Sequence, residues 1–371
     1  MIDFESGSTE LVLNPRLPAR EAERLRSIAR NLPPLERHVW VTTSGSSGAL
    51  KLVALSKDAI LASAAAVNRH LDARSGDVWC SPLPDFHVGG LGIHARARLS
   101  SSRVVGLPSW SAPRFAALSE AEGVTLSALV PAQVSDLATA NLRAPSALRA
   151  IVIGGGALPP ALYQAARALG WPLLPSYGMT EACSQVATAA VASLQDERFP
   201  DLEVLSHLAV RVTDGRLAVR GGSLLTGYGI EEGGRARFVD PKQHGWFVSE
   251  DAADVWTRGT RTFVRPLGRS SDFIKIGGES SSLARLQQIA ESAAQRFGAD
   301  AAVLSIPHER LGAVIHLAVS ERSVASDVRR AYDEDVLPFE RARAVHVVPI
   351  PRSPLGKVQR EELRKTLIGD R

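Results

Sequence analysis

"LRAIVIGGGALPPALYQAARALG", residues 148–170, decides the fold class. An apolar run ends in three glycines, and a helical pattern follows. That helix opens near two prolines, which suit a first turn because its N–H groups have no intrahelical partner anyway. Strand, glycine turn and helix in that order are the repeating step of a layered α/β sheet. The same alternation extends outward. Upstream, residues 18–30 predict a charged amphipathic helix, "HVWVTT" a short strand, and residues 56–71 a helix with Ser56 as N-cap. "DVWCSPLP", "SRVVGLP" and "VTLSALVP" predict further strands, with helices between them that include "HVGGLGIHARARLS". "WPLLPSYGMTEACSQVAT" repeats the scheme of strand and polar turn. The expected fold class is α/β, with a largely parallel sheet.

After about Leu205 the pattern changes. "LAVRVTDGRLAVRGGSLLTGY" alternates apolar and polar residues around Asp-Gly, a hairpin signal. "GWFVSEDAADVW" and "RTFVRPLG" read as further antiparallel strands, and a compact α+β pattern runs from Gly268 to a basic tail. Residues 1–267 are therefore expected to form a large layered domain with an antiparallel β region. Residues 268–371 are expected to form a small α+β domain.

The chain has 371 residues, 45% of them hydrophobic and 22% charged, with a formal net charge of +4, which is ordinary for a globular protein with a sizeable core. No block of Lys and Arg with interleaved aromatics points to nucleic acid. No apolar run approaches the roughly 18–20 residues of a membrane span, and the N-terminus lacks a signal-peptide pattern. Two cysteines, Cys80 and Cys183, are too few for a disulfide framework or a cysteine-rich metal site, so a cytoplasmic location is expected. A homodimer is the default assembly.

Five segments carry the chemistry. "TTSGSSGALK", residues 42–51, can offer an anion the backbone and hydroxyls of Thr43, Ser44, Gly45, Ser46, Ser47 and Gly48, with Lys51 behind them; it reads equally as a solvated hairpin turn. In "SYGMTEACSQVAT", residues 176–188, Thr180 and Glu181 can hold a phosphate oxygen and Mg²⁺, or close a surface turn. In "GWFVSEDAADV", residues 245–255, Asp251 can accept from paired ribose hydroxyls, or end a hairpin. "LGRSSDFIKIGGES", residues 267–280, is a charged, glycine-paired junction or a flexible linker. In "PRSPLGKVQREELRK", residues 351–365, Lys357 can reach a phosphate, or sit in a solvated tail.

In this order and spacing the five segments resemble the motifs of the adenylate-forming superfamily of acyl-CoA synthetases, nonribosomal-peptide adenylation domains and luciferases. The resemblance runs from about Val41 to Lys365. "TTSGSSGALK" is similar to that family's phosphate loop, "SYGMTE" to its Tyr-Gly-x-Thr-Glu motif and "GWFVSED" to Gly-Trp-Phe-x-Thr-Gly-Asp. "GRSSDFIKIGG" resembles the hinge, and "PRSPLGKVQR" the catalytic-lysine motif. Within the superfamily, "PLPDFHVGGLGI", "VPAQV" and "YGMTEACSQVAT" look most like the o-succinylbenzoate–CoA ligases of menaquinone synthesis, which include short members.

The resemblance implies a two-step reaction with ATP, Mg²⁺, coenzyme A and a small-molecule carboxylic acid. The acid attacks the α-phosphorus of ATP to give an acyl-adenylate and pyrophosphate. The small domain then turns and the CoA thiol takes the acyl group. In this scheme Lys357 bridges carboxylate and α-phosphate, and Thr180 and Glu181 serve phosphate and metal. Tyr177, Gly178, Gly155 and Gly156 flank the nucleotide, Asp251 and Arg269 bind ribose, and Lys275, Gly277 and Gly278 face CoA. Phe86, His87, Arg96, Ser176, Gly178, Cys183 and Ser184 line the acid pocket, with Cys183 as wall rather than nucleophile. His87 either lines that pocket or repositions between steps; as a core histidine it would be capped by a carbonyl. Arg96 either meets the second carboxylate of the acid or is an ordinary helix-surface arginine.

Three departures from the family pattern stand out. Ser249-Glu250-Asp251 replaces Thr-Gly-Asp, Ser271 with Asp272 stands at the hinge position, and "GGESSS" makes the CoA-facing strand more polar. Two alternatives follow: a ligase for another aryl or acyl acid, with CoA or a carrier protein as acceptor, and a non-catalytic homologue that binds nucleotide or acyl-adenylate.

Overall fold

The computed structural model describes residues 2–15, 17, 19–44, 50–269, 273–276, 279–308, 311–353 and 356–368. The chain divides into two compact units, residues 1–249 with 254–265, and residues 250–253 with 266–371.

The large unit is built on an eleven-stranded sheet. Five of its strands are parallel and lie side by side in the order Arg103–Gly106, Val78–Ser81, Leu126–Leu129, Ala150–Ile153 and Leu173–Met179. The first of these in sequence, Val78–Ser81, lies between the second and third, so the winding direction reverses there. The loops leaving the carboxyl ends then diverge, which is where open α/β sheets leave a crevice. These strands are apolar on both faces. Cys80, Ile151, Ile153 and Leu173 pack with Phe115, Val134, Tyr163 and Trp171. Their neighbours Trp79, Ala150, Val152 and Leu174 pack with Val67, Leu71 and Ile93. Burial on both faces is the mark of a parallel sheet covered by two helical layers.

Beyond Leu173–Met179 the sheet becomes antiparallel through Ser184–Ala189, Leu202–Val204 and Arg261–Arg269, then Phe247–Arg258, Arg216–Gly221 and Leu208–Thr213. The last two form the expected hairpin. Asp214 and Gly215 take φ of 49° and 73°, the two positive values a type I′ turn requires.

A second sheet of five strands contains His38–Ser44 and Leu50–Ser56, paired antiparallel with Thr43 opposite Lys51. Gly227–Glu232 pairs with Leu50–Ser56, bringing Tyr228 opposite Val53. Ser56 ends that strand and caps helix Lys57–Leu71, its hydroxyl accepting from the Ala59 N–H at 3.0 Å.

In the small unit, strands Phe273–Ile276, Glu279–Ser282, Ala301–His308, Gly312–Val319 and Ala342–Val347 form one sheet. Helices Leu283–Gln295 and Ala325–Glu334 cover one face through Leu286, Ala290, Val328 and Tyr332. Helix Arg360–Ile368 covers the other through Leu363. Two of the serines that make "GGESSS" polar, Ser281 and Ser282, are used internally. Ser281 is buried and donates to the Glu340 carboxylate at 2.5 Å, and Ser282 caps the following helix. Among the described residues, no helix is long and apolar enough to cross a membrane.

Candidate functional site

The carboxyl ends of the parallel strands carry the candidates of "SYGMTEACS" together with Gly155, Gly156, Phe86 and His87. Ser176 donates to the Ile153 carbonyl at 2.9 Å, tying the strand that carries "SYGMTE" to the one that runs into Gly154–Gly156. Gly155 has a φ of +77°, and a Cβ there would sit 3.3 Å from Val130, at the end of the next strand. A Cβ on Gly156 would meet Pro131 at 3.6 Å. Three strand ends are thus held edge to edge with bare backbone facing outward.

Gly178 has a stricter requirement. The pairing with Ser184–Ala189 shifts register between Tyr177 and Gly178. A Cβ on Gly178 would overlap the Ser184 carbonyl oxygen and stand 2.7 Å from its carbon, so only glycine fits this close backbone approach. Gly178→Ala is expected to destabilise the protein by about 3 kcal/mol, read from its urea midpoint. An unchanged midpoint would contradict the packing described.

Past Gly178 the chain makes a short 3₁₀ turn, Thr180–Ala182, then Cys183 and Ser184 at φ of 55° and 121° return it into the antiparallel strand. Glu181 is fixed at both ends. Its carbonyl accepts from the Leu225 N–H at 2.7 Å, and its carboxylate accepts from the Tyr228 hydroxyl at 2.9 Å. The Lys51 ammonium lies 5.2 Å from the centre of the Tyr228 ring, within cation–π reach. Tyr228 therefore joins the lysine that ends the glycine-hydroxyl loop to the candidate metal ligand, 47 residues away from Glu181 in sequence. Sequence reading missed it, because "LLTGY" carries no signal beyond a strand. Thr43 and Ser44 end the strand entering the loop, whereas Gly45, Ser46, Ser47 and Gly48 lie outside the described residues.

His87 sits at the N-cap position of helix Val88–Ser100, half-buried, with its ring 4.6 Å from that of Phe86. Burial lowers its pKa, which favours the neutral imidazole at pH 7. Asp85, in the same loop, is held by His94 at 3.0 Å.

Arg96 is not a surface residue: it is 2% exposed. The helix-surface alternative fails because most of the turns around it are buried, from Gly90 to Ala97. Its Nη2 donates to the Ser184 hydroxyl at 3.3 Å, and its guanidinium lies 5.6 Å from the Trp79 ring centre. Nε and Nη1 are buried without a partner among the described residues. Its carbonyl is gripped by Asn68 at 2.8 Å and Ser100 at 2.9 Å. Burial pushes the pKa down to about 10, so the group is still a cation at neutral pH. A buried cation with two idle donors costs several kcal/mol unless an anion or water meets it. Cys183, buried beside Ser184, has its thiol pKa raised by burial, so it is no ready nucleophile.

Asp251 lies on strand Phe247–Arg258, two residues after Ser249, whose side chain is buried. Arg269 ends strand Arg261–Arg269 and Lys275 lies within Phe273–Ile276; their side chains, together with Gly277, Gly278, Ser271 and Asp272, lie outside the described residues. In the small unit, exposed Lys357 is presented by a tight turn. Its N–H donates to the Ser353 hydroxyl at 3.2 Å, and its carbonyl accepts from the Ser353 N–H at 2.8 Å.

These features define a class. The family model for AMP-binding enzymes matches residues 7–228, well over half the chain, and the chain belongs to that family. Its relatives are more particular. It is 29% identical over 343 residues to the 2-succinylbenzoate–CoA ligase of Bacillus cytotoxicus, covering 88% of this chain and 69% of the relative. It is 28% identical over 347 residues to the same ligase of Bacillus cereus, with the same coverage. Among solved structures, o-succinylbenzoate CoA synthetase from Bacillus subtilis, in complex with the acyl-adenylate intermediate, aligns with a TM-score of 0.76 at 25% identity. That alignment covers 88% of this chain and 68% of the other.

Proposed function

We propose that the chain is an ATP-dependent acid–CoA ligase that activates o-succinylbenzoate as its adenylate. The observation that carries the choice of acid is Arg96, a buried cation with two unpaired donors beside the carboxyl ends of the strands. A substrate that keeps a second carboxylate supplies the missing partner, and a monocarboxylic acid does not. The names of the relatives agree with this reading. Phe86, His87, Ser176, Gly178, Cys183 and Ser184 form the rest of the acid pocket.

The glycine-hydroxyl loop with Lys51 holds the β- and γ-phosphates, Gly155, Gly156 and Tyr177 flank the base, and Asp251 and Arg269 take the ribose hydroxyls. Lys357 stabilises negative charge as it develops between the carboxylate and the α-phosphate. Thr180 donates to a phosphate oxygen. Glu181 fits a magnesium ligand, since Mg²⁺ bound with nucleotide needs only one or two carboxylates besides phosphate and water. When bound, the ion neutralises phosphate charge. Lys275, Gly277 and Gly278 serve the thioester step, and closure around the adenylate keeps water from the mixed anhydride. We place the enzyme in the cytoplasm, with both buried thiols reduced, as a homodimer.

Tyr228→Phe is expected to lower kcat/KM for Mg·ATP about tenfold, the cost of one hydrogen bond to a charged group, with a raised Mg²⁺ requirement. An unchanged Mg²⁺ titration would detach Glu181 from the metal. The reading as a whole is tested by pyrophosphate release with Mg·ATP and CoA across a panel of acids. Saturable release with o-succinylbenzoate, yielding its CoA thioester, supports it. Release with a different acid keeps the chemistry and discards the substrate. ATP binding without release for any acid points to the non-catalytic homologue.

A further inference from the structure

The turn that presents Lys357 is not held by its own backbone alone. Arg352 lies at its start, and its guanidinium uses both edges. Nε and Nη2 form a fork on the Asp300 carboxylate, at 2.8 and 2.6 Å, and Nη2 also reaches Glu291 at 2.9 Å. Nη1 points the other way and donates to the Gly356 carbonyl at 2.6 Å, the peptide group that leads into Lys357. The turn is further closed by Gly356 N–H to Ser353 carbonyl at 2.8 Å and by a bridge pairing Arg352 with Val358.

Both acidic anchors are themselves fixed. Asp300 precedes strand Ala301–His308; its carboxylate accepts from the Ala301 N–H at 2.8 Å, and its own N–H is held by Ser320 at 2.9 Å. Glu291 is on helix Leu283–Gln295 and accepts from Gln287 at 3.0 Å. The planar fork of an arginine transmits this rigidity, because a bidentate carboxylate contact fixes orientation as well as distance. A lysine ammonium in its place could reach one acid but could not brace the opposite carbonyl.

We propose that Arg352 is a positioning residue for Lys357, locking the turn onto the body of the small unit so that the lysine is preorganised for adenylate formation. This rests on the ligase reading above. The guanidinium touches no reacting atom; it acts through the Gly356 carbonyl. Displacing a catalytic group by about 1 Å costs about 10²-fold in rate, so the first half-reaction should be sensitive to this clamp while the second, which does not use Lys357, should not.

The test uses the full-length protein and the variants Arg352→Gln, Arg352→Lys, Asp300→Asn and Lys357→Ala. Arg352→Gln is expected to lower acid-dependent ATP–pyrophosphate exchange about 10²-fold through kcat, with little change in KM for ATP. Thioester formation from synthetic acyl-adenylate and CoA should stay within about twofold of wild type, a split that general destabilisation would not produce. Arg352→Lys should remain impaired, and Asp300→Asn should show the same split in milder form. Adding Arg352→Gln to Lys357→Ala should cause no further loss, because the two act as a unit. Equal loss in both half-reactions, or additive loss in the double variant, would overturn the proposal. Amide hydrogen exchange at Gly356 and Lys357 separates it from the ligase reading. Faster exchange in Arg352→Gln with a wild type that activates no acid would sink that reading, and with it the catalytic role of the clamp. Unchanged exchange and activity in Arg352→Gln, beside an active wild type, would sink the clamp alone.

Discussion

Lys357→Ala is expected to cut the formation of acyl-adenylate by about 10²–10³-fold, the usual cost of losing one group aimed at developing charge. The protein should otherwise be intact. Lys357 is exposed, and its turn is closed by the backbone, by the Ser353 hydroxyl and by Arg352, none of which alanine removes. An exposed substitution of this kind changes stability by no more than about 0.5 kcal/mol. Stopped-flow pyrophosphate release gives the first number and a thermal melt the second. Synthetic adenylate supplied with CoA should still be converted, since the thioester step does not use this lysine. A melt that falls together with the activity would mean that the tail is structural.

Arg96→Met separates function from stability in the opposite sense. In the free protein Arg96 is a buried cation whose Nε and Nη1 have no partner among the described residues, so an apolar side chain of similar length relieves a penalty. The variant should be as stable as wild type or more stable by about 1 kcal/mol. Removing one half of a buried charge pair costs about 2–5 kcal/mol in binding, so KM for o-succinylbenzoate should rise by about 30-fold or more. A monocarboxylic acid should show no such rise. The pair of measurements is decisive: lower stability with unchanged KM would make Arg96 a structural residue of the helical layer packed on Trp79.

The layered sheet was legible because local signals agree with it. Ser56 caps the helix it was expected to cap, Pro160 opens the helix after Ile153, and Asp214-Gly215 turns the hairpin. The second sheet was not fully legible. Leu50–Ser56 follows the glycine-hydroxyl loop as an apolar run without alternation, and its partner Gly227–Glu232 lies far along the chain. The same distance hid Tyr228, since nothing near "LLTGY" announces Glu181. Arg96 could not be assigned to a face because its helix is buried on almost every side, which removes the amphipathic period that would have oriented it. The acceptor of the Ser281 hydroxyl was hidden in a similar way, since Glu340 lies 59 residues further along the chain. Local chemistry therefore located the motifs, and only long-range pairing located their partners.

Whether o-succinylbenzoate is activated as its adenylate and then passed to CoA can be read in a rapid-quench experiment of two stages. Enzyme in excess is mixed with Mg·ATP and o-succinylbenzoate without CoA, and the quenched solution is analysed by mass spectrometry; CoA is then added to a second portion. The expected product is o-succinylbenzoyl-adenylate in an amount close to that of the limiting substrate, replaced on addition of CoA by AMP and the thioester. Bound ATP with no adenylate from this acid would contradict the ligase reading.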